Sequence, residues 1–304
     1  MHRHIEGFVA APFTPMNADG TVNLDIIEQQ ARFLQRNNVG GVFICGTTGE
    51  GLSLTTAERM QIMTRWAEVA GGKMTLIAHV GHNSIVEARS LAAGSRLLGF
   101  DAVGAIPPVF YKPRSVDELV AWCADIAAAA DLPFYYYHTP SMTGVDFAMA
   151  DFLNAAKDKI SNLAGVKFTY ENLADYAACL AADDGRFDIL FGRDEILLAG
   201  LALGAKGAVG STYNFVAGLY TEIIDAFAKG DLKTAQTLQN KSIRIINAIA
   251  QTPCGFLPAA KSILKMLDLD LGPVRRPLQN ITEADYNALR TRLEKINFFN
   301  HAAK

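Results

Sequence analysis

The chain carries little that would point to a metal, a membrane or a nucleic acid. Its 304 residues include four cysteines, Cys45, Cys123, Cys179 and Cys254, with no CxxC pair among them. Scattered single thiols give neither zinc-ligand spacing nor a disulfide framework, and they fit a reducing cytoplasm. His79, His82 and His138 fall on separate segments without HxH or HExxH spacing. Satisfied structural histidines are expected rather than metal ligands. No apolar run reaches about 18 residues without a charge or a turn signal, so no membrane span is expected. The opening MHRHIEGFVAAPFTP lacks an apolar core followed by a small-residue cleavage site, and no signal peptide is expected. Lysine and arginine (28) nearly balance aspartate and glutamate (31), leaving a net charge of −3. Without a basic field, nucleic acid is not an expected partner.

Half of the residues are hydrophobic and 19% are charged, which suits a globular chain with a large core. The length fits two domains or a single α/β barrel. Short apolar runs recur at intervals of about 30 residues, the length of one strand–helix unit. They cover residues 7–15, 40–48, 74–81, 101–108, 133–140, 164–169, 188–194 and 207–212. Most are continuously apolar, as in strands covered on both faces. Helical patterns at 23–38, 55–72, 84–100 and 115–132 fill the gaps. In the second of these, Thr55 stands three residues before Glu58, a capping-box spacing, and the pattern closes on glycine. Eight units in series predict a closed (β/α)8 TIM barrel. The competing open sheet lacks support, because no GxGxxG turn follows the first strand. Beyond residue 215 the pattern is helical only, with two amphipathic helices separated by Gly-Asp and further helices over 258–272 and 282–299. The expected organisation is a barrel over 1–225 and a C-terminal helical extension over 226–304, packed on the barrel.

Chemistry in such barrels gathers at the C-terminal ends of the strands. The sixth run, LAGVKFTYEN (163–172), places one lysine among apolar residues. Alternation puts Lys167 and Thr169 on one face and Val166 and Phe168 on the other. If the first face points inward, burial favours the neutral amine, a nucleophile able to form a Schiff base. A structural lysine paired with Asp194 or Glu195 is an equal alternative, and a phosphate-binding lysine a third. Tyr135 and Tyr137 share a face, opposite Tyr136, and either packing or acid–base work suits such tyrosines. The GTTGE turn (46–50) offers Thr47, Thr48 and backbone N–H groups as an anion site, or a plain turn with a threonine capping the next helix.

Five segments occur in order, each on its expected strand: GTTGE (46–50), YYYHTPSMTGV (135–145), GVKFT (165–169), FGRDE (191–195) and GAVGSTYN (207–214). Together they resemble, over essentially the whole chain, the pyruvate-dependent class I aldolases, the family of dihydrodipicolinate synthase and the sialic acid lyases. The resemblance implies that Lys167 forms the Schiff base, that Tyr137 relays protons, and that Thr47 and Thr48 hold the pyruvate carboxylate. It also implies a homotetramer and no metal or organic cofactor. Tyr111, in PPVFYKP, either reaches a neighbouring subunit's site or is a plain loop aromatic. Dihydrodipicolinate synthases carry an arginine shortly after the Tyr-x-x-Pro proline, whereas Ser141, Met142, Thr143 and Gly144 follow Pro140 here. Lys167-Phe168-Thr169 is similar to the Lys-x-Thr of sialic acid lyases. The resemblance then places Thr169 near the hydroxyl of the cleaved carbon and gives Gly192, Asp194, Glu195 and Ser211 to a polyhydroxylated sugar tail. Ser141, Met142 and Arg193 depart from the pattern. The expected reaction is cleavage of a sialic acid to pyruvate and an amino sugar. A 2-keto-3-deoxy sugar acid aldolase, a dihydrodipicolinate synthase and a non-catalytic sugar-acid-binding barrel are the alternatives.

Overall fold

The computed structural model describes residues 3–304. Eight strands run parallel and close on themselves in chain order, with the first hydrogen-bonded to the last. They are β1 (Gly7–Ala10), β2 (Gly41–Ile44), β3 (Thr75–His79), β4 (Ala102–Ala105), β5 (Phe134–His138), β6 (Leu163–Phe168), β7 (Asp188–Phe191) and β8 (Gly207–Gly210). Between them lie α1 (Ile26–Arg36), α2 (Thr56–Ala70), α3 (Ile85–Leu97), α4 (Val116–Ala130), a short α5 (Pro140–Thr143), α6 (Met149–Ala156), α7 (Leu173–Ala181) and α8 (Leu197–Leu203). After β8 come α9 (Tyr213–Ala228), α10 (Leu232–Ala250), α11 (Phe256–Met266) and α12 (Glu283–Lys295).

The paired strands are shorter than the apolar runs that announce them. The run at 7–15 pairs only over four residues, and the run at 207–212 likewise. The leftover apolar residues, such as Phe13, stay buried in the rim. Apolarity reports burial, and burial continues past the last ladder hydrogen bond.

Alternation sorts the strand residues as expected. Val166, Phe168 and Tyr136 pack outward against the helices. Val9, Phe43, Ile77, Tyr135, Tyr137, Leu190 and Val209 fill the barrel interior. Each such side chain contributes about 1.5–3 kcal/mol when fully buried. The N-terminal end of the barrel is tied off by Asp188, whose carboxylate accepts from Tyr135 Oη (2.7 Å) and Ile5 N (2.9 Å).

α2 begins with the reciprocal capping box that its sequence predicts. The Thr55 hydroxyl accepts from Glu58 N (3.1 Å), and the Glu58 carboxylate accepts from Thr55 N (2.9 Å). Thr47 and Thr48 therefore do not cap this helix. The two amphipathic patterns after the barrel are α9 and α10, which break at Lys229–Asp231, where Gly230 has φ +75°. Among the described residues, no helix is long and apolar enough to cross a membrane.

Candidate active site

Lys167 is the centre of the C-terminal mouth of the barrel. Its neighbours Val166 and Phe168 face the helices, so its own side chain must enter the barrel. It is 3% exposed and lines a cavity of about 450 Å³. Its Nζ stands 3.9 Å from the ring centroids of both Phe43 and Tyr137. Tyr137 is also its register partner on β5. The two structural pairings open to it in sequence are not made. Asp194 instead accepts from Thr212 N (2.9 Å) and Thr212 Oγ1 (2.5 Å). Glu195 pairs with Arg193 at 2.8 Å. Burial pulls the Lys167 ammonium below the usual lysine value, while Tyr137 and Asp194 pull it back only in part. The result is an amine that gives up its proton more readily than a surface lysine.

The Thr47 hydroxyl lies 3.3 Å from the Tyr137 phenol, so the GTTGE turn and the β5 tyrosine converge beside the amine. Thr47 is exposed to the cavity and Thr48 is buried beneath it. On the other side of the amine, Thr169, Gly192, Asp194, Glu195 and Ser211 line the same cavity. Gly192 is required there, because a Cβ would come within 2.1 Å of Thr169 Oγ1. Buried Asp194 has its carboxyl pushed up to about 6, chiefly by desolvation and against the Thr212 hydrogen bonds.

Nine of the ten residues singled out in sequence thus line one cavity. Tyr111 does not: it is 85% exposed on the loop after β4 and stacks edge-on against Phe110 at 4.9 Å. The histidines differ from expectation in part. His79 donates through Nδ1 to the Cys45 carbonyl (2.9 Å), but its Nε2 and both ring nitrogens of His138 are buried without protein partners. No group of three His, Cys, Asp or Glu side chains converges as metal ligands would, among the described residues.

Several residues that shape the site are silent in the sequence. Phe43 is an apolar residue in an apolar strand, and nothing local marks it as the floor under an amine. Its ring is admitted by Gly46, where a Cβ would meet it at 2.9 Å. Phe256 and Leu257 arrive from α11, far away in the chain. Glu50, the last residue of GTTGE, forms a buried pair with Lys261 of α11 at 3.3 Å and accepts from Arg275 N at 2.8 Å. Lys261 Nζ also donates to the carbonyls of Thr14 (2.7 Å) and Pro273 (2.6 Å). This pair ties the threonine turn to the C-terminal helices.

The N-acetylneuraminate lyase of Xenopus tropicalis is 39% identical over 300 residues, covering 97% of this chain and 98% of the relative. The structure of N-acetylneuraminate lyase (sialic acid aldolase) from Aliivibrio salmonicida superposes with a TM-score of 0.95 at 39% identity, covering 99% of this chain and 100% of that one. A catalytic lysine mutant of the Ruminococcus gnavus sialic acid aldolase superposes with a TM-score of 0.91 at 26% identity, covering 97% and 96%. The Dihydrodipicolinate synthetase family matches residues 4–296, and the chain belongs to that family.

Proposed function

We propose that the chain cleaves N-acetylneuraminate reversibly to N-acetylmannosamine and pyruvate, as a class I aldolase with Lys167 as its imine-forming residue. The observation that carries this reading is the buried Lys167 amine, which faces the cavity with no carboxylate paired to it. A lysine kept for structure would be expected to hold an ion-pair partner. The relatives' names support the sugar acid, as does the series of hydrogen-bonding groups beyond the amine.

The chemistry follows from the positions. The Lys167 lone pair attacks C2 of the open-chain 2-oxo acid, and the carbonyl oxygen leaves as water, taking one proton from the amine and one from the Tyr137 phenol, to give an iminium and a phenolate. Thr47 and Thr48 hold the carboxylate, which fixes C2 over the amine. Tyr137, through that carboxylate, takes up the proton of the C4 hydroxyl. The C3–C4 bonding pair moves into the iminium, releasing the amino-sugar aldehyde and leaving an enamine. C3 of the enamine regains a proton, and water hydrolyses the imine to free pyruvate and Lys167. The lysine is the electron sink, so the scheme needs no metal or organic cofactor. Thr169 lies by the C4 hydroxyl, and Gly192, Asp194, Glu195 and Ser211 hold the hydroxylated tail.

In this reading the active unit is a homotetramer in a reducing cytoplasm, with all four cysteines free and Tyr111 offered to a neighbouring subunit's site. Residues 226–304 act as an extension of the 1–225 barrel that closes one wall of the cavity. Tyr137→Phe tests the relay: it should lower kcat for N-acetylneuraminate cleavage on the order of 100-fold or more while pyruvate still binds covalently. A Tyr137→Phe protein with wild-type kcat contradicts the mechanism. Faster turnover of 2-keto-3-deoxygluconate than of N-acetylneuraminate by the wild type contradicts the substrate.

A further inference from the structure

The cavity wall holds a charged group that the scheme above leaves idle. Arg193 follows Gly192 at the end of β7, lines the cavity, and is about a quarter exposed. It bridges two carboxylates, those of Glu171 and Glu195. Both pairs use a single terminal nitrogen, Nη2, and Nε is buried in the cavity wall without a partner. The guanidinium therefore keeps N–H donors uncommitted beside the carboxylate of Glu195.

A hydroxyl both donates and accepts, and a run of adjacent hydroxyls presents both roles side by side. An acceptor and a fixed fork of donors on one wall match that pattern. We propose that Arg193 is a specificity-determining residue, which orients Glu195 and, with it, grips the polyol tail of the sugar. This rests on the sugar-acid reading and names the part of the sugar that the pair recognises. A second consequence follows from charge. Arg193 is already matched by two carboxylates, so it is not a free cation for an acidic aldehyde partner.

The condensation direction separates the two substrates. Pyruvate touches the threonine turn and Lys167, whereas the tail belongs wholly to N-acetylmannosamine. Arg193→Gln should raise KM for N-acetylmannosamine about tenfold, roughly 1.4 kcal/mol, and leave KM for pyruvate within twofold. Arg193→Lys, which keeps the charge and loses the fork, should fall between the two. Glu171→Gln should raise the same KM in the wild-type background and add little to Arg193→Gln. Equal rises in both KM values, no change in either, or fully additive losses would overturn the proposal. A wild-type enzyme that traps pyruvate yet does not condense it with N-acetylmannosamine refutes the sugar reading, and this inference falls with it. Condensation by the wild type with an unaffected variant refutes the Arg193 role alone.

Discussion

A single nitrogen carries most of the chemistry. Lys167 is set between two aromatic faces, and the Asp194 carboxylate, just past the end of β7, is spent on Thr212. That carboxylate, Asp194, has a testable signature of its own. Its folded-state value of about 6 lies above its ordinary 3.8. Between those values the folded chain binds more protons than the unfolded one, so stability rises as pH falls through 6 and the gain is complete below 3.8. Relative to Asp194→Asn, the wild type should gain on the order of 2–3 kcal/mol between pH 7 and pH 4, as measured by denaturant unfolding. A difference that stays flat over that range contradicts the assignment. At this scale the sequence was informative where a residue broke its local pattern. A lysine in an apolar strand stands out, and alternation then fixes which way it points. Phe43 does not stand out, because its role depends on neighbours brought in from other strands.

The strand–helix units place these residues, and one contact between elements holds the site to the rest of the chain. Glu50 in the GTTGE turn and Lys261 in α11 pair with side chains 1% and 2% exposed. Burial pulls the Lys261 ammonium down and Glu50 draws it back. Removing one partner strands the other charge in the core. Lys261→Met should therefore cost about 3–5 kcal/mol of stability, and adding Glu50→Gln should recover part of it. Denaturant midpoints of the wild type and both variants measure this, and a single-variant loss under about 1 kcal/mol would be that of a surface pair. The helix starts were legible because caps are local: Thr55 and Glu58 are three residues apart. The strand ends were not, since residues past the ladder remain buried in the rim and stay apolar. The Glu50–Lys261 pair was equally hidden, as no spacing rule links positions 211 residues apart.

At the scale of the molecule, barrel closure brings strands two, five, six, seven and eight to one rim, and the C-terminal helices add an apolar wall. Eight repeated units made the closure readable, since eight is the number at which a parallel sheet meets itself with its interior just filled. The contribution of Phe256 and Leu257 to the wall was not readable, because it depends on how the extension folds back. The proposed mechanism requires that the amine at the centre of that rim bond a 2-oxo acid. Incubation with pyruvate and borohydride, followed by mass mapping of the digested chain, measures this directly. The expected result is one reduced pyruvate adduct, on Lys167, that is absent from Lys167→Ala along with turnover. No adduct, an adduct on another lysine, or near-normal turnover by Lys167→Ala would contradict it.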